Sequence, residues 1–148
     1  MPTTKNDFWE FILAVENAYV ARRKTIMQQF SLTAAEVDIL LFLANNPEFD
    51  TAAQIAKLRR IPKSQVSLSV ASLCRAGLLT GRHAPNDRKS VHLLPTDAAS
   101  PVIEAGRGVQ EEFAETLFSG FSDVEKAEFS RLHAKIADNI SLERKNDA

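Results

Sequence analysis

Residues 51–96 read TAAQIAKLRRIPKSQVSLSVASLCRAGLLTGRHAPNDRKSVHLLPT, and this stretch, called here the basic segment, decides the fold of the chain. It holds eight basic residues and a single acid, Asp87, which gives it a charge of +7. The remaining residues comprise ten basic and eighteen acidic side chains, so they carry −8 in a chain whose net charge is −1. A basic surface on an acidic body is typical of proteins that bind a phosphate backbone. The charge pattern therefore favours nucleic acid as a partner.

The first half of the basic segment predicts two helices joined by a tight connection. Thr51 and Gln54 form a capping box, and the apolar residues behind them indicate a short helix that ends at Leu58. Residues 59–61 form the connection, and Pro62 is expected at the first position of the second helix, where its missing N–H would be unpaired in any case. Two helices in this order predict a helix-turn-helix, whose second helix enters a major groove of DNA.

The second helix, residues 63–76, has an apolar face and a polar face. Val66, Val70 and Leu73 recur at spacings of four and three, which predicts one stripe that faces the core. Gly77 is expected to follow the helix as the residue that ends it. Small hydroxyls, an amide and a cation on the other face suit base edges and phosphates. The residues of that face that we expect to contact DNA are Lys63, Ser64, Gln65, Ser67 and Leu68.

The second half of the basic segment predicts a β-hairpin. Residues 78–83 and 90–94 read as strands, and the Ala-Pro-Asn-Asp sequence at 84–87 reads as the turn between them. Helix, turn, helix and hairpin in this order describe a winged helix, a mainly α fold with a small β-hairpin wing whose tip can place a cation in a minor groove. Asp87 is expected to shape the tip by pairing with a nearby arginine. The further predicted DNA contacts are Arg59, Arg60, Arg82, Asn86, Asp87, Arg88 and Lys89.

The motifs of this segment resemble the signature of MarR-type transcriptional regulators. LCRAGLL at residues 73–79, Arg82, PNDRK at residues 85–89 and LPT at residues 94–96 follow one another in the family's order. They are similar to the family's elements L-x-x-x-G-L, R, P-x-D-R-R and L-T-x-x-G. The positions at which the chain departs from this signature are Lys89 (usually arginine), Pro95 (often leucine) and Ala99 (usually glycine).

The resemblance implies a function as well as a fold. It implies a homodimer that binds double-stranded DNA with sequence specificity, on a pseudo-palindromic operator whose half-sites lie about 34 Å apart. We expect a repressor whose operator affinity falls when a small, aromatic or phenolic ligand binds. The resemblance places that ligand in a cleft between the dimer helices and the winged lobe.

Length and composition predict one domain, residues 1–148. The chain is 45% hydrophobic and 25% charged, and it has neither a run of about 18 apolar residues nor a signal-peptide pattern, so we expect a cytoplasmic protein without membrane contact. Its single cysteine excludes an internal disulfide framework. Residues 1–32 and 100–148 are expected to form a helical dimerisation region, and residues 33–98 the winged-helix lobe.

The sequence outside the basic segment predicts helices. Residues 7–30 carry more apolar surface than one domain needs, which predicts packing against a partner subunit as well. Apolar residues on all sides of residues 37–44 predict a buried central helix. Gly106 and Gly108 are expected either to weaken a later helix or to permit close approach of another chain. Two further capping boxes are Thr33 with Glu36 and Ser122 with Glu125.

Aromatic residues concentrate in the first 42 residues. For each of them, packing in the core or the dimer is the simpler interpretation, while the group as a whole favours a ligand cleft. Residues 22–24, Arg-Arg-Lys, most simply form a solvated face, with contact to a ligand carboxylate or to DNA as the alternative. Arg22, Arg23 and His92 are equal candidates for holding a carboxylate. The predicted ligand residues are Trp9, Ile12, Tyr19, Arg22, Phe42 and His92.

The sequence carries no convincing pattern of enzyme chemistry. Cys74, His83 and His92 are spaced by nine and nine residues, which matches no compact metal site, so neither a metal nor a cofactor is predicted. Cys74 lies next to the core stripe, which favours an inert packed thiol over a redox sensor. Two other classes stay open, a winged helix that binds protein and the dimerisation domain of an enzyme. The polar helix face argues against the first, and the lack of a catalytic domain within 148 residues argues against the second.

Overall fold

The computed structural model describes residues 5–146, and the side chains of residues 7–143 within that range. These residues form two compact units, one ending at Phe113 and the other beginning at Ala114. The predicted lobe, residues 33–98, lies within the first unit, and the predicted domain ends at residues 1 and 148 lie outside the described range. The elements are α1 (Lys5–Phe30), α2 (Ala34–Asn45), α3 (Ala52–Arg59), α4 (Lys63–Arg75), β1 (Leu79–Ala84), β2 (Asp87–Pro95), a short 3-10 helix (Asp97–Ala99), α5 (Ser100–Leu117) and α6 (Asp123–Asn146).

Helix α2 is the centre of the core of the first unit. The Thr33 side chain accepts the N–H of Glu36 at 3.2 Å and the Glu36 carboxylate accepts the N–H of Thr33 at 3.0 Å, so the predicted capping box starts the helix. Its apolar side chains are buried on several sides, which confirms the prediction of a central helix. The core residues that surround it include Ile26, Ile55, Val66, Leu73, Leu79 and Leu93.

The helix-turn-helix forms where the sequence predicts it. The capping box of Thr51 and Gln54 starts α3, and the connection turns at Arg60, which adopts a left-handed conformation with φ of 53°. Pro62 is the residue before α4 and not its first helical residue, because its ψ of 138° is still extended. Gly77, with φ of +75°, follows α4 as predicted, and its own N–H and that of Leu78 donate to the carbonyls of Cys74 and Leu73 in the last turn.

The wing is a two-stranded antiparallel hairpin whose first strand is shifted by one residue from the prediction and whose second strand is longer than predicted. Strand β2 starts at Asp87, three residues before the predicted start, because Asp87 already pairs with Ala84. The connection therefore needs only Pro85 and Asn86, and an irregularity between Arg82 and Ala84 absorbs the change of register.

Helix α5 approaches α2 closely at one glycine. A Cβ atom on Gly106 would lie 2.8 Å from the Cδ1 atom of Leu41, so a side chain at this position would overlap α2. Gly106 thus permits the close approach of α2 from the same chain, whereas the sequence suggested a weakened helix or the close approach of another chain. Around Gly108 no described atom lies within 4 Å of the corresponding position.

The second unit consists of the end of α5 and of α6. The predicted capping box forms, since the Ser122 hydroxyl accepts the N–H of Glu125 at 3.1 Å and the Glu125 carboxylate accepts that of Ser122 at 2.8 Å. The rings of Phe118 and Phe129 meet edge to face with their centroids 5.1 Å apart. The apolar stripe of α6 is otherwise exposed, and it comprises Phe129, Leu132, Ile136 and Ile140.

No single helix among the described residues is long and apolar enough to cross a membrane. Residues 7–30 and 34–45 meet the length and composition criteria only as a pair, across a bend of 98°.

Candidate nucleic-acid interface

Helix α4 presents the predicted polar face to solvent. Val66, Ser69 and Leu73 are buried against the core, and Val70 beside them is half-buried. The burial of Ser69 widens the predicted stripe, since its small side chain fits between the apolar residues. All five predicted contact residues are exposed, and they are Lys63, Ser64, Gln65, Ser67 and Leu68.

The start of α4 has no side-chain cap and lies between two exposed cations. Pro62, the residue that precedes the helix, makes no side-chain capping bond, so the first N–H groups of α4 are not occupied by the cap. Unpaired N–H groups at a helix start favour an anion, and the helix dipole adds to this preference. Exposed Arg60 and Lys63 flank this end of the helix and add positive charge.

The wing tip is organised by Asp87, although not by the predicted bond to an arginine. Its Oδ1 atom accepts the backbone N–H groups of Lys89 at 3.0 Å and Ser90 at 3.1 Å. The backbone bonds, from Ser90 first and then Lys89, lower the pKa of Asp87 below its usual value. With Asp87 bound to the backbone, Arg88 and Lys89 are both exposed near the tip. The other predicted contacts of the wing, Arg82 and Asn86, are exposed as well.

The wing is held against the loop that precedes α3 by Asp50. The Nδ1 atom of His92 lies 2.8 Å from Oδ1 of Asp50, and the N–H of Leu93 donates to the backbone carbonyl of Asp50 at 2.8 Å. The other ring nitrogen of His92 lies 3.9 Å from Oδ2 of Asp87. His92 therefore positions the wing on the helix-turn-helix, a role that the sequence did not reveal because Asp50 is 42 residues away.

A small cleft of about 80 Å³ lies between α1, α2, the end of α3 and α5. Of the six predicted ligand residues, Tyr19 and Phe42 line it. Arg22 lies nearby, with its guanidinium 5.1 Å from the ring centre of Phe113, which in turn contacts Tyr19. Trp9, Ile12 and His92 do not line the cleft. The other lining residues are Asp38, Leu41, Asn45, Asn46, Arg59 and Gln110.

Asp38, which lines this cleft, forms a largely buried ion pair with Arg23 of α1. The Nη1 atom of Arg23 lies 2.7 Å from Oδ2 of Asp38, and these side chains are only 17% and 12% exposed. The prediction of a solvated face is therefore wrong for Arg23, because the helix turns it toward α2. Burial raises the pKa of Asp38 above its usual value, and the charges of Arg23 and Arg59 oppose that rise. The Asp38 carboxylate was not predicted from the sequence, although its position within the apolar run of residues 37–43 was a signal for it.

Arg59 lies both at the cleft and on the exposed surface of the helix-turn-helix. It is the last residue of α3, is exposed, and was predicted to contact DNA from the sequence. In the structure the charge of Arg59 also acts to lower the pKa of Asp38, and Arg59 lines the cleft. One guanidinium is thus available both to the cleft and to a phosphate beside the helix-turn-helix.

Cys74 is exposed, so the prediction of a packed thiol is wrong. Cys74 follows the buried Leu73 by one residue, and a step of about 100° around the helix turns its side chain to solvent. Within the described part of the chain, no group of three His, Cys, Asp or Glu side chains is placed to hold a metal ion.

Three core-packed helices, a tight connection before α4 and a two-stranded wing define a winged helix-turn-helix protein. The sequence model of the MarR family matches residues 30–90, from the end of α1 to the wing. The resemblance to the MarR family that the motifs predicted is therefore confirmed for this part of the chain.

Solved structures of other proteins share the fold. A MarR protein from Peptoclostridium difficile is 19% identical, with 97% of this chain and 93% of that chain covered and a TM-score of 0.77. A putative MarR family transcriptional regulator from Listeria monocytogenes, solved with 26mer DNA, is 16% identical over 97% of this chain and 92% of its own, with a TM-score of 0.75. BpsR of Bordetella bronchiseptica, whose DNA binding is regulated by 6-hydroxynicotinic acid, is 21% identical over 88% of this chain and 98% of its own, with a TM-score of 0.66.

Proposed function

We propose that this protein is a homodimeric transcriptional regulator that binds double-stranded DNA with sequence specificity. The observation that carries the proposal is the exposed polar and cationic face of α4, which lies in a segment of charge +7 together with the exposed Arg88 and Lys89 of the wing. A helix of this kind fits a major groove, and a hairpin tip with cations fits the adjacent minor groove. The DNA-bound relative from Listeria monocytogenes has the same fold and supports the proposal.

Exposed apolar surface outside the winged lobe supports the homodimer. Trp9 is 61% exposed on α1, and Phe8, Phe11 and Leu13 near it are more than half exposed. The stripe of α6 is exposed in the same way. Contiguous apolar surface of this kind typically marks a protein interface. A two-fold dimer would place two α4 helices in successive major grooves, about 34 Å apart, so the operator would be a pseudo-palindrome.

The cleft supports regulation by a small ligand. Two guanidinium groups, of Arg23 and Arg59, face the single carboxylate of Asp38, and the resulting positive charge favours a ligand that carries a carboxylate. A volume of about 80 Å³ is smaller than the roughly 300–1,000 Å³ of common ligand sites, so an aromatic acid would enter only with displacement of the lining side chains. Such displacement would move Arg59. We therefore propose a repressor that the ligand releases from DNA.

Thermodynamic linkage makes the ligand proposal testable. A ligand that weakens operator binding must bind more weakly to the DNA-bound protein, and by the same factor. Calorimetric titration of an aromatic carboxylate such as salicylate into free and operator-bound protein measures both affinities. Equal affinity for the two forms, and with it an operator affinity that the ligand leaves unchanged, would contradict the mechanism.

The primary test is binding to a labelled duplex from immediately upstream of the protein's own gene, compared with random duplex over a salt series. We expect tight, salt-dependent binding to the upstream duplex, with a specificity ratio above about 10³. Weak binding that is equal on both duplexes would overturn the proposal. In that case the protein-binding winged helix becomes the better interpretation, and the exposed Leu68 is the observation that favours it.

A further inference from the structure

We infer that Leu68 recognises the 5-methyl group of a thymine in each operator half-site. This inference rests on the DNA-binding function proposed above and adds the chemistry of the base that is read. Leu68 is 73% exposed, although it is a large apolar side chain on a surface that is otherwise polar.

The position of Leu68 on α4 is central to the exposed face. Val66, Ser69 and Leu73, together with the half-buried Val70 that packs against the core, mark the buried side of the helix. At about 100° per residue, the direction opposite to them is occupied by residues 64, 68, 71 and 75, each within about 30° of the centre. These residues are all exposed, and in order along the helix they are Ser64, Leu68, Ala71 and Arg75. Gln65 lies toward one edge of this face, whereas Leu68 lies on its central part and halfway along the helix.

The chemistry of the major groove offers few partners for such a side chain. Each base pair exposes donors and acceptors there, and the C5 methyl group of thymine is the apolar contact that an apolar side chain can make. The surroundings of Leu68 also favour DNA over a protein partner. Its neighbours Lys63 and Arg75 are exposed cations at the two ends of α4, which suit phosphates on the groove walls.

Ala71 extends the apolar centre of the face by one turn. Three residues along a helix span about 4.5 Å, which is close to one base-pair step of about 3.4 Å. Leu68 and Ala71 would therefore lie over neighbouring base pairs, with the hydroxyl of Ser64 before them and the guanidinium of Arg75 after them. The expected half-site has a thymine at one position, or at two adjacent positions, opposite the middle of α4.

The experiment replaces thymine by deoxyuracil, which removes the methyl group and keeps the base pair. An operator is first selected from randomised duplexes with the full-length protein. The thymines are then replaced one position at a time, with the same replacement in both half-sites. We expect affinity to fall about fourfold per half-site at one or two positions, the loss expected for one methyl group that is no longer buried. The Leu68→Ala variant should bind the thymine operator more weakly and should show no further loss at those positions.

Three controls make the result specific to Leu68. The Leu68→Met variant keeps an apolar contact and should retain the sensitivity to deoxyuracil. Leu94→Ala removes another exposed leucine, on the hairpin, and should lose affinity at the same deoxyuracil positions as the unaltered protein. Thermal unfolding followed by circular dichroism verifies that each variant is folded.

The outcomes separate this inference from the proposed function. Specific, salt-dependent operator binding that is insensitive to every deoxyuracil would overturn the role of Leu68 and leave the proposed function standing. If Leu68→Ala lowers affinity equally for the thymine and deoxyuracil operators, the role of Leu68 is also overturned and the proposed function still stands. The side chain and the methyl group would then act independently. Failure to select any specific duplex would overturn both.

Discussion

At the scale of single residues, the ion pair of Arg23 and Asp38 joins α1 to α2. We expect its loss to lower the free energy of unfolding. Asp38→Asn leaves the guanidinium of Arg23, which is 17% exposed and whose Nε has no described partner, without a carboxylate. Removing one partner of a buried pair typically costs about 3 kcal/mol of unfolding free energy. We expect a loss of that size in urea unfolding.

A surface pair provides the matched control for Asp38→Asn. Arg131 and Glu128 form a bidentate pair on α6, and both side chains are more than half exposed. Glu128→Gln should leave the urea midpoint unchanged, because solvent replaces the lost contact. A double change of Arg23→Met and Asp38→Leu should recover most of the stability lost in Asp38→Asn. If Asp38→Asn is as stable as the unaltered protein, burial of the pair does not stabilise the helix packing.

Substitutions at two residues of the proposed DNA-binding surface should lower DNA affinity in different ways. Arg88→Ala on the wing should lower affinity for operator and random duplex alike and reduce the slope of log affinity against log salt by about one unit. Gln65→Ala on α4 should lower affinity for the operator alone, since a glutamine amide can read a base edge. Anisotropy titrations on both duplexes over a salt series measure the two effects. An equal loss on both duplexes for Gln65→Ala would exclude it as a reader of sequence.

At the scale of elements, substitution of two glycines of α5 by alanine provides a matched test of helix packing. Gly106→Ala should destabilise the protein by about 1–2 kcal/mol, because the new Cβ meets the buried side chain of Leu41 and overpacking outweighs the gain in helix propensity. Gly108→Ala meets no described atom within 4 Å and should stabilise by about 0.5–1 kcal/mol. Denaturant unfolding of both variants measures the difference. The same change in stability for both would show that α5 does not approach α2 closely.

The elements that the sequence predicted well are those with local signals. The three capping boxes, at Thr33, Thr51 and Ser122, each depend on residues three positions apart, and all three form. Gly77 likewise ends α4 through bonds within one turn. Strand β2 was predicted too short because a two-residue turn and a four-residue turn look alike until the pairing of Ala84 with Asp87 is known.

The candidate site was harder to predict, because contacts between distant residues make it. The bond of His92 to Asp50 spans 42 residues, and the bond of Asn45 to Gln110 in the cleft spans 65. Neither pair has a local pattern that distinguishes it from solvated polar residues. The exposure of the polar face of α4 was predictable, in contrast, because exposure on a helix follows from its period.

At the scale of the whole molecule, the exposed apolar stripe of α6 is a candidate dimer interface, and operator affinity should then depend on it. Ile136 is 54% exposed in the middle of the stripe, whereas Val124 is 79% exposed on the same helix but roughly 125° away from the stripe. If the stripe is the dimer interface, Ile136→Glu places a charge in it and should shift the protein toward monomer in analytical ultracentrifugation, while Val124→Glu should not.

The same two variants connect assembly to the operator. A monomer presents one α4 helix to one half-site, so Ile136→Glu should bind the full pseudo-palindrome at least about a hundredfold more weakly, because the second half-site no longer contributes through the effective concentration of a linked subunit. Its affinity for a single half-site should change little. A dimeric Ile136→Glu with unchanged operator affinity would exclude the α6 stripe as the interface, and the exposed apolar surface of α1 would then be the next to test.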